Sequence, residues 1–134
     1  MHQIEFARRE ALDERRPRAH WRRLLHPQAL GLEVTLGVGN EQWGPQYIER
    51  YAAFAKVLKA RHPEIKLVSS AGPDPDGEKF DFLWPKLREL NADFVDEHYY
   101  RPPAWFLDNS QRYDRYPRTG PKIFAGEYAA QSVR

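Results

Sequence analysis

The sequence predicts an α/β fold in which about four strand–helix units lie along one parallel sheet. Four short apolar segments begin about thirty residues apart, which is the length of one βα unit. Stretches with helical periodicity separate these segments, and turn residues lie between strands and helices. Polar residues follow the ends of several apolar segments. This alternation is the pattern of a parallel sheet with helical connections.

The first unit pairs a strand over residues 32–38 with the helix that follows it. In the strand, apolar and polar side chains alternate first, and a short apolar stretch follows. After a loop over residues 40–44, Pro45 can open a helix because its missing N–H costs least in the first turn. The apolar side chains that then recur at helical spacing are Ile48, Tyr51, Ala52, Ala55 and Leu58. His62-Pro63 is predicted to end this helix, since the residue before a proline disfavours helical geometry.

The second unit begins with a strand over residues 65–69. The loop over residues 71–77 contains glycine, proline and aspartate, which give several independent turn signals. A second helical stretch follows, and we expect Pro85 to kink or restart it because an internal proline removes a helical hydrogen bond. The apolar residues on one side of this helix are Phe80, Leu83, Leu87 and Leu90.

Two further strands are predicted, over residues 94–99 and 122–126. Prolines at residues 102 and 103 break the chain after the first of them. A third helix is expected from Ala104 to about Tyr116. The turn over residues 117–120 then leads into the last strand.

Residues 1–31 form an irregular basic segment, and the folded domain is predicted over residues 32–134. The segment is rich in arginine, histidine and proline, and beyond a short helix around residues 4–12 it shows no sustained period. A nucleic-acid-binding arm would be expected to contain a glycine-rich motif or regularly interleaved aromatic residues. A solvated extension is therefore the favoured interpretation.

The overall charge indicates no particular class of charged partner. The net charge is +2, from 21 basic and 19 acidic residues, so neither nucleic acid nor a membrane surface is expected as a partner. With 0 cysteines, disulfides, a thiolate nucleophile and a cysteine-based zinc site are excluded. The first residues lack the apolar core of a signal peptide, and no apolar run approaches the roughly twenty residues that span a bilayer. These features do not identify the cellular compartment, but a cytoplasmic location is expected in preference to secretion.

Two glutamates stand at the ends of predicted strands, Glu41 after the first and Glu127 after the fourth. Two carboxylates presented from strand ends are the minimum for acid/base or nucleophilic work on a glycosidic bond. Each could instead be an ordinary exposed glutamate. Beside Glu41, Asn40 can donate to a sugar hydroxyl and Trp43 offers an apolar face to a sugar ring. Glu127 ends an apolar strand, where an unpaired buried carboxylate would be costly.

The third predicted strand places His98 in a polar run. Because successive strand residues alternate between faces, His98 and Tyr100 should point to one side and line a polar pocket. Taken alone, His98 could equally be a hydrogen-bonded core histidine. A metal site made of Asp96, Glu97 and His98 is disfavoured, since adjacent strand residues point to opposite faces and cannot easily share one ion.

The positions of these polar residues favour a barrel over an open sheet. Glu41, His98 and Glu127 each lie at or just past the carboxyl end of a different predicted strand, where a (β/α)8 barrel places its active site. The glycine-rich phosphate loop of an open doubly wound sheet is missing from the sequence. A complete barrel needs about 250 residues, so about four βα units amount to a partial (β/α)8 barrel. Such a half barrel has two open sheet edges, which favour self-association.

Four motifs stand in order along the chain. They are Gly39-Asn40-Glu41-Gln42-Trp43-Gly44, Asp96-Glu97-His98-Tyr99-Tyr100, Trp105-Phe106-Leu107 and Phe124-Ala125-Gly126-Glu127-Tyr128-Ala129. In this order they resemble the α-L-arabinofuranosidases of glycoside hydrolase family 51, whereas residues 8–35 do not. The resemblance implies that Glu41 is the general acid/base and Glu127 the nucleophile. It also implies that Asn40 binds the sugar 2-hydroxyl, and that His98 and Tyr100 line the site and orient the nucleophile.

The activity implied by the resemblance is a retaining hydrolysis that releases terminal α-L-arabinofuranosyl residues from arabinose-containing oligosaccharides or polysaccharides. This chemistry involves neither a metal nor an organic cofactor, and it requires the two carboxyl groups to lie about 5–5.5 Å apart. The chain would then be a fragment of the family's catalytic barrel. Two alternatives stay open. One is a related retaining barrel hydrolase that acts on β-glucan or β-xylan, and the other is an inactive or only sugar-binding fragment.

Overall fold

A computed structural model of the chain describes residues 34–131. The predicted basic segment over residues 1–31 lies outside the described residues, as do the predicted start of the first strand and the last three residues of the chain.

Four parallel strands alternate with helices along the described part of the chain. The elements are β1 (Thr35–Val38), α1 (Pro45–Arg61), β2 (Lys66–Ser70), α2 (Glu78–Glu89), β3 (Phe94–Arg101), α3 (Pro103–Asp108), a 3-10 helix (Arg112–Arg115) and β4 (Lys122–Ala130). The sheet order is β1-β2-β3-β4, and each neighbouring pair is parallel. The carboxyl ends of all four strands therefore meet at one edge of the sheet. The predicted α/β fold of about four βα units is confirmed.

The core lies between the sheet and the two long helices. Its fully buried side chains include Tyr51 from α1, Leu83 and Leu87 from α2, and Leu67 and Val95 from β2 and β3. Burying an aliphatic side chain of this size stabilises the fold by about 1.5–3 kcal/mol. This packing fixes α1 and α2 behind the sheet and leaves the carboxyl ends of the strands to build a site.

Helix α2 is continuous through Pro85, so the predicted restart there is wrong. A proline inside a helix leaves the carbonyl four residues earlier without its helical donor. Here that carbonyl belongs to Asp81, which is exposed like Pro85 itself. Water can therefore satisfy it, and the helix continues.

The predicted third helix is instead two short pieces, α3 and the 3-10 helix. Helix α3 ends at Asn109, whose side-chain Nδ2 donates to the Trp105 carbonyl at 2.9 Å. A side chain that competes for backbone groups in this way ends a helix. Beyond that point, Arg112 is held by the Pro75 carbonyl and by Asp76, which directs the chain into a separate turn.

Strands β3 and β4 extend beyond their predicted ends, to Arg101 and Ala130. Glu127 therefore lies within the last half of β4 instead of just after it, and His98, predicted near the end of its strand, lies within the last half of β3. The register of the two strands also shifts, since Asp96 pairs with Phe124 whereas His98 pairs with Glu127. Strand β4 thus contains one more residue than β3 over this interval, which is a β-bulge.

Strands β1 and β4 are the outer strands of the described sheet. Leu36, Phe124 and Tyr128 on these strands expose 42%, 46% and 71% of their surface. Among residues 34–131, no helix is long and apolar enough to cross a membrane.

Candidate active site

Glu41 lies in a tight turn that follows β1. Gly39 has a φ of 85° and Glu41 has a φ of 52°, so the chain turns through the left-handed region twice. For a non-glycine residue such as Glu41 this conformation is unusual and is maintained only where surrounding contacts impose it. Here the Tyr47 hydroxyl donates to the Val38 carbonyl at 2.8 Å, and Ser70 Oγ donates to the Gln42 carbonyl at 3.1 Å. These two bonds hold the turn on both sides of Glu41.

His98 is the centre of the site, and only 2% of its surface is exposed. Its Nδ1 lies 3.1 Å from Glu41 Oε1 and 3.6 Å from Glu127 Oε2. Its Nε2 lies 3.1 Å from Asp96 Oδ2. The imidazole ring therefore bridges the turn after β1 to strands β3 and β4.

The surroundings of His98 favour its charged form. Burial lowers the pKa of His98, but the hydrogen bonds to Glu41 and Asp96 and the charges of Asp96 and Glu127 outweigh it and raise the pKa above its ordinary value. An imidazolium can donate to carboxylates on both sides at once, whereas a neutral imidazole has a single N–H. The geometry thus fits a cationic ring held among three carboxylates.

Glu127 points to the same side of the sheet as Glu41 and His98. The Tyr100 hydroxyl donates to Glu127 Oε2 at 2.9 Å. Glu41, His98 and Glu127 each offer one side-chain nitrogen or oxygen atom, and these three atoms lie within 4.8 Å of one another. This spacing would also be short enough for a cation, but the hydrogen bond between His98 and Glu41 accounts for it within the protein. Both carboxylates remain partly open, with side-chain exposures of 40% for Glu41 and 38% for Glu127.

The structure brings four of the six predicted site residues together, namely Glu41, Glu127, His98 and Tyr100. Asn40 lies exposed in the same turn, where its carbonyl accepts a hydrogen bond from Gln42 Nε2. Trp43 is 56% exposed, and Lys79 Nζ lies 4.5 Å from the centre of its ring. Both residues thus flank the cluster without joining its hydrogen bonds.

Comparison with known proteins identifies the family. Residues 3–118 match the model of the alpha-L-arabinofuranosidase 1 domain. The chain belongs to the α-L-arabinofuranosidase family. It is 48% identical over 107 residues to an extracellular exo-alpha-L-arabinofuranosidase of Streptomyces chartreusis, a match that covers 79% of this chain and 13% of the relative. It is 31% identical over 109 residues to alpha-L-arabinofuranosidase 2 of Arabidopsis thaliana, covering 81% of this chain and 14% of that protein.

The structural comparison gives the same family. The chain aligns with an arabinose-bound α-L-arabinofuranosidase of glycoside hydrolase family 51 at a TM-score of 0.60 and 29% identity. The alignment covers 84% of this chain and 16% of the other. The four parallel strands thus correspond to part of the barrel of a family 51 arabinofuranosidase, which confirms the predicted partial (β/α)8 barrel. The chain spans about one seventh of the length of the relatives it matches.

Sequence reasoning missed one residue of the site, Asp96. From the sequence, Asp96 is named only as a member of a disfavoured metal site and of one family-like motif. In the structure it contacts both His98 Nε2 and the backbone N–H of Gly126. The alternation of β3 could have placed Asp96 on the face of His98, but the contact with Gly126 depends on the register between two strands, which the sequence does not display.

Glu97 points to the opposite face of β3, as the alternation predicts, and is 1% exposed. Trp84 Nε1 donates to its Oε1 at 2.7 Å, and the hydroxyls of Tyr99 and Tyr116 also donate to it. Burial raises the pKa of Glu97 against the opposing effect of these donors and of the Arg112 charge. Glu97 therefore anchors β3 to the helical layer behind the site.

Proposed function

We propose that this chain carries the catalytic centre of a retaining α-L-arabinofuranosidase that releases terminal arabinofuranosyl residues from arabinose-containing oligosaccharides or polysaccharides. One observation carries the proposal. A carboxylate from the turn after β1 and a carboxylate from β4 face the same imidazole, with one oxygen of each within 4.8 Å of the other. This spacing supports a retaining mechanism, which needs about 5–5.5 Å between carboxyl groups, over an inverting one, which needs about 6.5–9.5 Å. The family of the chain supplies the substrate class.

In the proposed reaction, Glu127 attacks the anomeric carbon while Glu41 protonates the departing glycosidic oxygen. A covalent arabinosyl–Glu127 ester forms, and the alcohol leaves. Glu41, now ionised, removes a proton from a water molecule that attacks the same carbon from the other side. The ester bond breaks, arabinose is released with its original configuration, and both carboxyls return to their starting states.

His98 and Tyr100 would prepare the two glutamates for these different tasks. The Tyr100 hydroxyl donates to Glu127 Oε2, which fixes the orientation of the nucleophile. The His98 ring lies between the two glutamates, with its Nδ1 3.1 Å from Glu41 Oε1 and 3.6 Å from Glu127 Oε2, and holds both side chains in place. Asn40 would hydrogen-bond the sugar 2-hydroxyl, and Trp43 would offer an apolar ring to the substrate.

Hydrolysis of an aryl α-L-arabinofuranoside by the 134-residue chain tests the proposal. Glu127→Gln should abolish turnover, and Glu41→Gln should slow it by roughly 100-fold or more, in line with loss of general acid catalysis. Azide should restore a large part of the rate in Glu41→Ala, because an anion can then attack the ester intermediate. Glu49→Gln, an exposed glutamate on α1, is the matched control and should leave the rate unchanged.

The anomeric configuration of the first product, read by NMR, tests the stereochemistry. Retention is expected, and inversion would overturn the mechanism. Higher rates on aryl glucosides or xylosides would favour a hydrolase for β-glucan or β-xylan instead. Sugar binding by a folded chain without turnover would favour a binding role.

We also propose that copies of this chain associate through their open sheet edges. Among residues 34–131, the outer strands β1 and β4 expose apolar side chains and have a strand neighbour on one side only, and such edges are prone to pair with another strand. Association of this kind would cover Leu36, Phe124 and Tyr128.

A further inference from the structure

The bulge in β4 determines which face of the sheet Glu127 occupies. Residues that pair across neighbouring strands point to the same face, and successive residues alternate. In an unbroken register Gly126 would pair with His98, and Glu127 would pair with Tyr99. The Tyr99 side chain lies on the opposite face, where its hydroxyl contacts Glu97. The extra residue in β4 therefore turns Glu127 toward His98 and Glu41.

Asp96 contacts this bulge from the neighbouring strand. Its Oδ1 accepts a hydrogen bond from the Gly126 N–H at 2.8 Å. A bulge disrupts the backbone ladder locally, and here a carboxylate accepts from the N–H of the residue that precedes Glu127. Asp96 also holds His98 through its other oxygen, Oδ2.

Glycine at position 126 makes this contact sterically feasible. A Cβ built on Gly126 would lie 2.8 Å from Asp96 Oδ2 and even closer to Oδ1. These distances are far below ordinary van der Waals contact. Any other residue at position 126 would push the carboxylate of Asp96 away from the bulge.

We propose that Asp96 is a positioning residue that fixes the β4 bulge through the Gly126 N–H and thereby directs Glu127 into the site. Asp96 acts through Gly126 and His98 and has no contact with the sugar in this role. The inference rests on the proposed function, because it concerns the placement of the proposed nucleophile.

Tyr100 reports the position of Glu127 without any turnover. The hydrogen bond to Glu127 raises the pKa of Tyr100 above its ordinary value, and burial and the negative charges of Glu127 and Glu41 act in the same direction. The pKa of Tyr100 should therefore fall toward that of a free tyrosine when Glu127 leaves this face of the sheet. The pKa of Tyr100 measured in Glu127→Gln provides the reference value for a site in which the charge of Glu127 has been removed.

NMR on the 134-residue chain with labelled tyrosine and glycine tests the positioning role. In Asp96→Ala, we expect a lower pKa of Tyr100 and at least roughly tenfold faster amide exchange at Gly126, since its N–H loses its acceptor. Asp96→Asn retains an oxygen acceptor for Gly126 and should preserve most of the protection. Asp81→Asn, an exposed aspartate on α2, is the matched control and should change neither quantity.

An unchanged Tyr100 pKa together with unchanged Gly126 exchange in folded Asp96→Ala would overturn the proposal. If Asp96→Ala does not fold, an NMR measurement on the unmodified chain tests the contact between Asp96 and Gly126 directly. A scalar coupling between the Gly126 amide nitrogen and the Asp96 carboxyl carbon would support the contact, and its absence would overturn it.

Activity measurements separate this inference from the proposed function. In Asp96→Ala, kcat on an aryl arabinofuranoside should fall by roughly 100-fold with little change in KM, because a displacement of about 1 Å can cost this much. An unchanged kcat would contradict the positioning role. If the unmodified chain shows no turnover, the proposed function fails, whereas the Tyr100 and Gly126 measurements still decide whether Asp96 directs Glu127.

Discussion

His98 is the residue on which three carboxylates converge. Its Nδ1 faces Glu41 and Glu127, and its Nε2 faces Asp96. Removing the imidazole would leave the carboxylates close together without a counter-charge, which is destabilising. Both the stability of the site and its electrostatics should therefore depend on the protonation of this ring.

Replacing His98 by glutamine should destabilise the chain most at acidic pH. Because its folded-state pKa is raised, His98 contributes stability that is fully present below its unfolded-state pKa of about 6.5, and that contribution is lost as the pH rises through the folded-state pKa. The difference in melting temperature between wild type and His98→Gln should thus shrink as the pH rises above about 6.5 and through the raised folded-state pKa of His98. The exposed His62 supplies a control, His62→Gln, for which a much smaller effect is expected. A constant difference for His98→Gln across this range would contradict the prediction.

Substitution of Gly39 tests how much the left-handed turn before Glu41 constrains the residue at this position. Alanine at this position would adopt a φ of 85° and place its Cβ 3.1 Å from the Tyr47 ring. Gly39→Ala should therefore lower the free energy of unfolding by about 1–2 kcal/mol more than Gly37→Ala does, since a left-handed conformation costs a residue with a side chain this much. Gly37 is the matched control because a Cβ there meets no atom within 4 Å. Denaturant titration measures both, and equal costs would contradict the prediction.

At the scale of the element, β3 separates two polar systems by alternation alone. Asp96, His98 and Tyr100 face the site, whereas Glu97 and Tyr99 face the helical layer. Residues of the two systems are neighbours in sequence, yet no hydrogen bond joins a residue of one system to a residue of the other. A change on the rear face should therefore act on stability before it acts on the site.

Glu97→Gln should remove a pH-dependent contribution to stability. Since burial raises the folded-state pKa of Glu97, this contribution is fully present below the unfolded-state value of about 4.5 and is lost as the pH rises through the folded-state pKa. The melting temperature of wild type relative to Glu97→Gln should therefore fall as the pH rises above about 4.5 and through the raised folded-state pKa of Glu97. Glu89→Gln, an exposed change at the end of α2, is the control. A difference that rises over this range would show that the hydrogen-bond donors around Glu97 favour its ionised form more strongly than burial opposes it.

At the scale of the whole molecule, the described sheet ends in two exposed strands. A complete barrel would pair both edges, because closure removes the unpaired backbone groups. The relatives that this chain matches are about six times longer, so their remaining segments can supply strands that the described part does not contain.

Tyr128→Lys should reduce self-association if the β4 edge mediates it. A lysine on an edge strand opposes pairing with a second strand through its charge. Phe54→Lys, an exposed change on α1, is the matched control and should leave the molecular mass in solution unchanged. Sedimentation velocity over a range of concentrations measures both. A monomeric wild-type chain, or equal effects of the two substitutions, would exclude association through this edge.

The sequence by itself determined the order and type of the principal elements, and it indicated the residues of the site. Apolar periodicity and proline positions located α1 and β2 to within one residue at most ends, because local burial patterns and turn chemistry act over a few neighbouring residues. Alternation in β3 placed His98 and Tyr100 on one face for the same reason. The end of α3 at Asn109 and the continuity of α2 through Pro85 depended on hydrogen bonds and solvent exposure, and periodicity alone did not predict them.

Only the tertiary structure decided how Glu41 and Glu127 meet. Their proximity depends on the left-handed turn after β1, on the imidazole of His98 between them and on the bulge that brings Glu127 opposite His98. Each of these features depends on pairing between segments far apart in the chain. A shift of one residue in strand register reverses the face of every side chain that follows, yet it leaves the sequence pattern of the strand unchanged. For this reason the sequence could name the two glutamates, whereas the contact between Asp96 and Gly126 that directs one of them emerged only from the folded sheet.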